Sequence, residues 1–358
     1  MTYTSRQSSY LIASVGAFLQ VASSWWNLFS HLHIGTLHPW WNPAELTLYL
    51  GLAVTLFGVW QGLHVHPEQH PASFMTIRFV NLAGLKLAGV GCLIELIAGA
   101  WNEMLHHLIR IKFGIAPAYV LLTLGMLTVN LGVAIGLTIE YGMVRREFVI
   151  ASATRRACVV FSILLTFSAI WLAAAGALIY LGGAFRSSSP NWIIAFLLAL
   201  VGTLVLVPLK RVMPRIGAGI GVSIVFNTVA YSLLVVYAGS PSYIPWAILP
   251  VIFFELALSL SGPRIGLKHA LFLSSLVTGV FFGATYYPFT VYLFPWSFSL
   301  QPLIFSPVVG SGLGAVLGYR VYTALSSAVV GDVTGSLSAS GYFSLVTKIP
   351  EATSKLIG

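Results

Sequence analysis

Apolar stretches long enough to cross a bilayer recur ten times along this chain, and no other feature limits its fold so severely. They lie near 9–30, 43–65, 79–101, 116–143, 157–183, 192–209, 217–238, 243–262, 269–294 and 303–325, separated by short punctuated loops. A helix crossing the hydrocarbon core needs about 20 mostly apolar residues, so the expected fold class is all-α: a polytopic integral membrane protein of about ten transmembrane helices. Composition agrees. Hydrophobic residues make up 58% of the chain and charged residues 8%, with a mean hydropathy of +0.90, outside the range of soluble domains.

Charge then sets an orientation, because Lys and Arg in short loops are retained on the cytoplasmic side. On the side of the N-terminus fall Arg6, Arg78, Arg145, Arg146, Arg155, Arg156, Lys210, Arg211, Arg215, Arg264, Lys268, Arg320, Lys348 and Lys355, against Arg110, Lys112 and Arg186 opposite. A multi-pass protein of the cell membrane with both termini cytoplasmic is expected. The net charge of +9 is this retention signal and calls for no nucleic-acid partner. The expected partners are the lipid bilayer and other membrane subunits. Cys92 and Cys158 fall at different depths, so no disulfide between them is expected.

The chain also repeats itself. "AFLQVASSWWNLFSH" in the first span matches "CLIELIAGAWNEMLH" in the third, aligning Gln20, Trp26, Asn27 and His31 with Glu95, Trp101, Asn102 and His106 at an offset of 75 residues. "PAELTLYLG" from Pro43 matches "PAYVLLTLG" from Pro117 at an offset of 74. Each copy is a two-helix hairpin, about 12–66 and 87–143, and an even number of crossings makes the copies parallel. Parallel repeats are related by an axis along the membrane normal, which brings His31 and His106 into consideration as one shared site at the outer face. Three divisions are expected: 1–150 as a duplicated hairpin module, 151–325 as a six-helix transmembrane bundle, and 326–358 as a cytoplasmic Ser/Gly-rich tail.

Asn27 and His31, like Asn102 and His106, are four residues apart and share a helix face. Gln20 and Glu95 extend those faces two turns further in, and Glu45 opens the second span beside Pro43. Ionisable groups inside a membrane usually mark function, and two imidazoles with two carboxylates suit copper or another transition metal. The expected metal ligands are His31, Glu45, Glu95 and His106, with Asn27 and Asn102 orienting the rings. Set against this, a single His or Trp at such a depth is at home in the interfacial belt.

The motif of Asn27, His31 and Glu45 resembles the metal-binding pattern of the C subunit of the copper membrane monooxygenases that oxidise methane and ammonia. There an Asp-x3-His is followed by a second His about a dozen residues on. Asn27 stands for the Asp and His31 for the first His, while Glu45 sits one place beyond the second. The other copy supplies Asn102 and His106, with Tyr119 at the position of Glu45. The resemblance covers about 20 residues of each copy and implies a subunit of a membrane redox or oxygenase complex.

Two alternatives use the same chain differently. His31 and His106 on neighbouring helices would suit the axial ligation of a b-type haem in an electron-transfer subunit. A transporter, or a structural membrane subunit, would instead use Glu255, which falls near mid-membrane in the eighth span with no cation nearby in sequence and is a candidate for a proton or ion pathway. Whether the chain is an enzyme stays open, since it has no Walker loop, dinucleotide fingerprint, Cys-based metal motif or serine-nucleophile motif. Among structural signals, Gly310, Gly314 and Gly318 share one face, predicting a close helix contact. Gly217 and Gly221 point the same way, and Glu140 beside Arg145 and Arg146 reads as an interfacial charge pair.

Overall fold

The computed structural model describes residues 3–34, 43–64, 75–108, 117–146, 153–184, 191–238, 247–293 and 300–337. Ten helices account for nearly all of them: α1 Tyr3–Ile34, α2 Pro43–His64, α3 Met75–Leu108, α4 Pro117–Arg146, α5 Ala153–Ala184, α6 Asn191–Val212, α7 Ala218–Ala238, α8 Ile248–Ile265, α9 Leu267–Leu293 and α10 Leu300–Leu337. Each covers one of the ten apolar stretches. Among the described residues, seven helices are long and apolar enough to cross a membrane. Large apolar side chains on their outer faces, Leu50, Phe57, Trp60, Leu93 and Ile97 among them, are exposed, as suits a lipid environment.

α1 is not one of the seven, and its surroundings explain why. It packs on α2, α5, α4 and α7, and its polar side chains Gln7, Ser9, Ser14, Gln20, Ser23, Asn27 and Ser30 are all buried against protein. A central helix can carry polar groups that a lipid-facing helix cannot. Trp25 anchors it to α5, its indole N–H donating to the Leu172 carbonyl at 2.7 Å. From there an aromatic run crosses the core, Trp25 edge-on to Phe226 of α7, Phe226 stacked on Trp171 of α5, and Trp171 edge-on to Phe282 of α9.

The first four helices close a ring. α1 lies along α2 and α3 along α4, and smaller contacts join α2 to α3 and α4 to α1, leaving α1 and α3 at opposite corners. The end at which α1 begins is termed proximal and the end at which it finishes distal. Glycines set the close contacts, and they recur at the offsets of the repeat. A Cβ on Gly16 would stand 2.5 Å from the Thr55 backbone N, and one on Gly91 would stand 2.6 Å from that of Val129. Gly58 meets Ala13 and Ser9, and Gly132 meets Ala88 and Gly84. Gly62 receives the Leu85 side chain, while Gly136 receives Tyr10. Backbones approach this closely only where side chains are absent.

The predicted glycine face of α10 is packed as expected: Gly310, Gly314 and Gly318 abut Phe196, Leu200 and Leu204 of α6. Two expectations are corrected. Gly217 makes no close contact and instead turns the chain between α6 and α7 at φ +90°, a conformation open to glycine because it has no Cβ. Glu140 is buried and accepts a hydrogen bond from Gln7 at 3.2 Å, which ties α4 to α1 within the bundle; the side chains of Arg145 and Arg146, its expected partners, lie outside the described residues. Finally, α10 continues to Leu337, so the first twelve residues of the expected tail are helical; residues 338–358 lie outside the described ones.

Candidate functional site

The repeat places Gln20 and Glu95 at matching depths, in the middle of α1 and α3, each facing its hairpin partner. Gln20 rests against Gly51, and Glu95 against Gly125. Both are buried. Here the copies part. Opposite Gln20 stands Thr55, and the Gln20 amide donates to its hydroxyl at 2.9 Å. Opposite Glu95 the equivalent residue is Val129, and among the described residues both buried carboxyl oxygens of Glu95 lack a hydrogen-bond partner. An acid thus replaces an amide in the copy that has lost the hydroxyl. Buried Cys92 lies one turn before it.

The expected ligand set is spread along the helices. α3 is continuous from Met75 to Leu108, so Glu95 and His106, eleven residues apart, are separated by about 16 Å along the axis at a rise of ~1.5 Å per residue. Two side chains of these types cannot span that gap to one ion with bonds of about 2 Å. His31 and His106 sit on the last turns of α1 and α3, on opposite corners of the ring, and their side chains lie outside the described residues. Among the described residues, no group of three His, Cys, Asp or Glu is arranged to hold a metal ion.

Other members of the set find different neighbours. Glu45, half-buried in the first turn of α2, feels the charge of Glu103 on α3, as does Tyr49 one turn further along α2. Asn102 is half-buried beside Glu103, whereas Asn27 is buried and lines a cavity between α1, α2, α4 and α5. The two places are equivalent within the ring, one at the α2–α3 contact and the other at α1–α4. Glu45 and Glu103 on one side correspond to Tyr119 and Leu28 on the other.

Glu255 has the cation that the sequence does not place near it. Lys210, in the last turn of α6, forms a buried ion pair with it. The Lys210 ammonium also donates to the Arg215 carbonyl at 2.6 Å, and the Gly219 N–H donates to the other Glu255 oxygen at 2.9 Å. That N–H belongs to the first turn of α7, where backbone donors lack intrahelical partners and favour an anion. Glu255 therefore lies level with the α6–α7 turn, tying three helices together.

Sequence reasoning missed Lys210, Glu103 and the Thr55/Val129 difference. The last was within reach, because carrying the second alignment on from Gly51/Gly125 passes through it. Lys210 and Glu255 are 45 residues apart and only tertiary packing joins them.

Fold and site together define an all-helical, multi-pass membrane protein with, among the described residues, an unpartnered acid inside its bundle. Compared with known proteins, the chain matches no family model, no curated protein and no solved structure.

Proposed function

We propose that this chain is a membrane carrier, or the conducting subunit of one, in which Glu95 takes up and releases a proton or a small monovalent cation. One observation carries this: a carboxyl in the middle of an apolar bundle with, among the described residues, no hydrogen-bond donor for either oxygen. An isolated carboxylate is too costly to bury, so the group must hold a proton or a cation, and exchanging one for the other is the elementary step of coupled transport. The Gln20–Thr55 pair supports it, because the same place in the other hairpin is filled by a neutral amide whose N–H donates to Thr55, while its oxygen, like those of Glu95, has no partner among the described residues. On this reading α1–α4 form a duplicated hairpin module about a pseudo-two-fold axis, α5–α10 form its support, and both termini are cytoplasmic. Glu255, held by Lys210 and Gly219, is structural.

The test is flux. Proteoliposomes carrying the purified chain and a trapped pH dye are given an opposing sodium or potassium gradient. Wild type is expected to move protons, and Glu95→Gln to lose that flux while Gln20→Ala retains most of it. Absence of flux in wild type under both gradients, or equal flux in Glu95→Gln, overturns the proposal.

A second reading starts from Glu45 and Glu103, which lie within electrostatic reach of one another on α2 and α3. With His106 on the following turn of α3, these carboxylates would offer copper or another transition metal a mixed oxygen and imidazole set, as in a subunit of a redox or oxygenase complex. Stoichiometric metal lost in both Glu103→Gln and His106→Ala would favour it, and a metal-free protein after metal-replete preparation would remove it.

A further inference from the structure

Between α1, α2, α4 and α5 the side chains leave a cavity of about 60 Å³. Its polar lining comes from Ser24 and Asn27 on α1 and Tyr119 and Thr123 on α4, with Trp25 and Met126 beside them. Among the described residues, no charged side chain lines it. A buried water needs about 10–15 Å³ of space as measured with a water-sized sphere, and two to four polar partners. The cavity has space for several waters on that measure, and hydroxyl and amide groups on two facing helices to hold them.

Its position gives this space a use. Met126, at the inner limit of the lining, directly follows Gly125, against which the Glu95 side chain rests. Tyr119 lies in the first turn of α4, at the distal end. The step of seven positions from one to the other covers about 10 Å of helix axis. The cavity thus runs from the distal end of the ring to the level of Glu95, on the adjoining face of the same helix.

We infer that this cavity is a hydrated vestibule, in which ordered water between Ser24, Asn27, Tyr119 and Thr123 links the distal end of α4 to the depth of Glu95. Its role in transport rests on Glu95 being the exchanging carboxyl; the presence of water does not. Leu122 and Met126 supply the apolar part of its lining on α4.

Radiolytic hydroxyl-radical footprinting tests this on the full chain in detergent, because radicals generated from bound water oxidise the side chains that touch it. Met126 and Met213 offer a matched pair, both sulfur-bearing and both only 2% exposed, but only Met126 lines the cavity. Oxidation of Met126 is expected to run severalfold faster than that of Met213, and to fall toward the Met213 rate in Thr123→Val and in Ser24→Leu. Glu95→Gln is expected to leave the footprint unchanged while abolishing flux, so the two proposals fail separately. Equal, slow oxidation of both methionines in wild type would show a dry cavity and overturn the vestibule. A fast Met126 signal indifferent to both substitutions would place the water elsewhere, with the same consequence.

Discussion

Cutting the Lys210–Glu255 pair from one side should cost far more than removing both charges together. The side chains are 2% and 4% exposed, so neither can turn to water when its partner is lost. In Lys210→Met the Glu255 carboxylate keeps only the Gly219 N–H, and in Glu255→Gln the ammonium keeps the Arg215 carbonyl but no counter-charge. Stranding one member of a buried pair costs about 3–5 kcal/mol. Replacing both members leaves no unpaired charge and is often close to neutral. The double variant should therefore recover most of the loss, giving a coupling energy of about 3 kcal/mol or more in a double-mutant cycle. The assay is unfolding in mixed micelles with increasing denaturing detergent, followed by circular dichroism for the four proteins. Single variants that each cost less than about 1 kcal/mol and add in the double, as exposed pairs do, would refute the burial and the tie it makes between α6, α7 and α8.

Three further outcomes follow from the geometry. Gly132→Ala places a Cβ 2.5 Å from the Ala88 backbone N and should destabilise by about 1–3 kcal/mol through overpacking; Gly142→Ala, with nothing within 4 Å, should be neutral or better, and thermal unfolding in detergent compares them. Adding Val129→Thr to Glu95→Gln rebuilds in the second hairpin the pair that Gln20 makes with Thr55, and should raise stability over Glu95→Gln alone by about 0.5–1.5 kcal/mol, the net worth of a hydrogen bond. Trp25→Phe removes the donor to Leu172 and should cost about 1 kcal/mol or more by the same measure.

Much of the fold was legible because span length and apolar content are properties of single segments. All ten helices fall where the hydrophobic stretches do, and the Gly310/Gly314/Gly318 face found a partner in α6. Helix ends were less legible. A count of apolar residues reports the width of the hydrocarbon, whereas a helix continues as long as its own hydrogen bonds do, as α10 does to Leu337 and α1 does from Tyr3. The repeat placed Gln20 and Glu95 at equivalent positions, but parallel copies in a four-helix ring put α1 and α3 on opposite corners. Motifs that align in sequence therefore need not meet in space. The Glu95–His106 spacing also exceeds what one ion can bridge, a limit already implicit in eleven residues of continuous helix. Glu255 carried no local sign of Lys210, because ion pairs between distant helices are set by packing alone.

Infrared spectroscopy of the carboxyl C=O stretch tests the central claim about Glu95 most directly, by comparing wild type with Glu95→Gln in the same lipid while pH and sodium or potassium concentration are stepped. The account predicts a protonated-carboxyl band that is absent in Glu95→Gln and that disappears in wild type as pH or one of these cations is raised. A Glu95 band that stays constant across every step would mean that the acid is sealed and structural, and would contradict its role as the exchanging group.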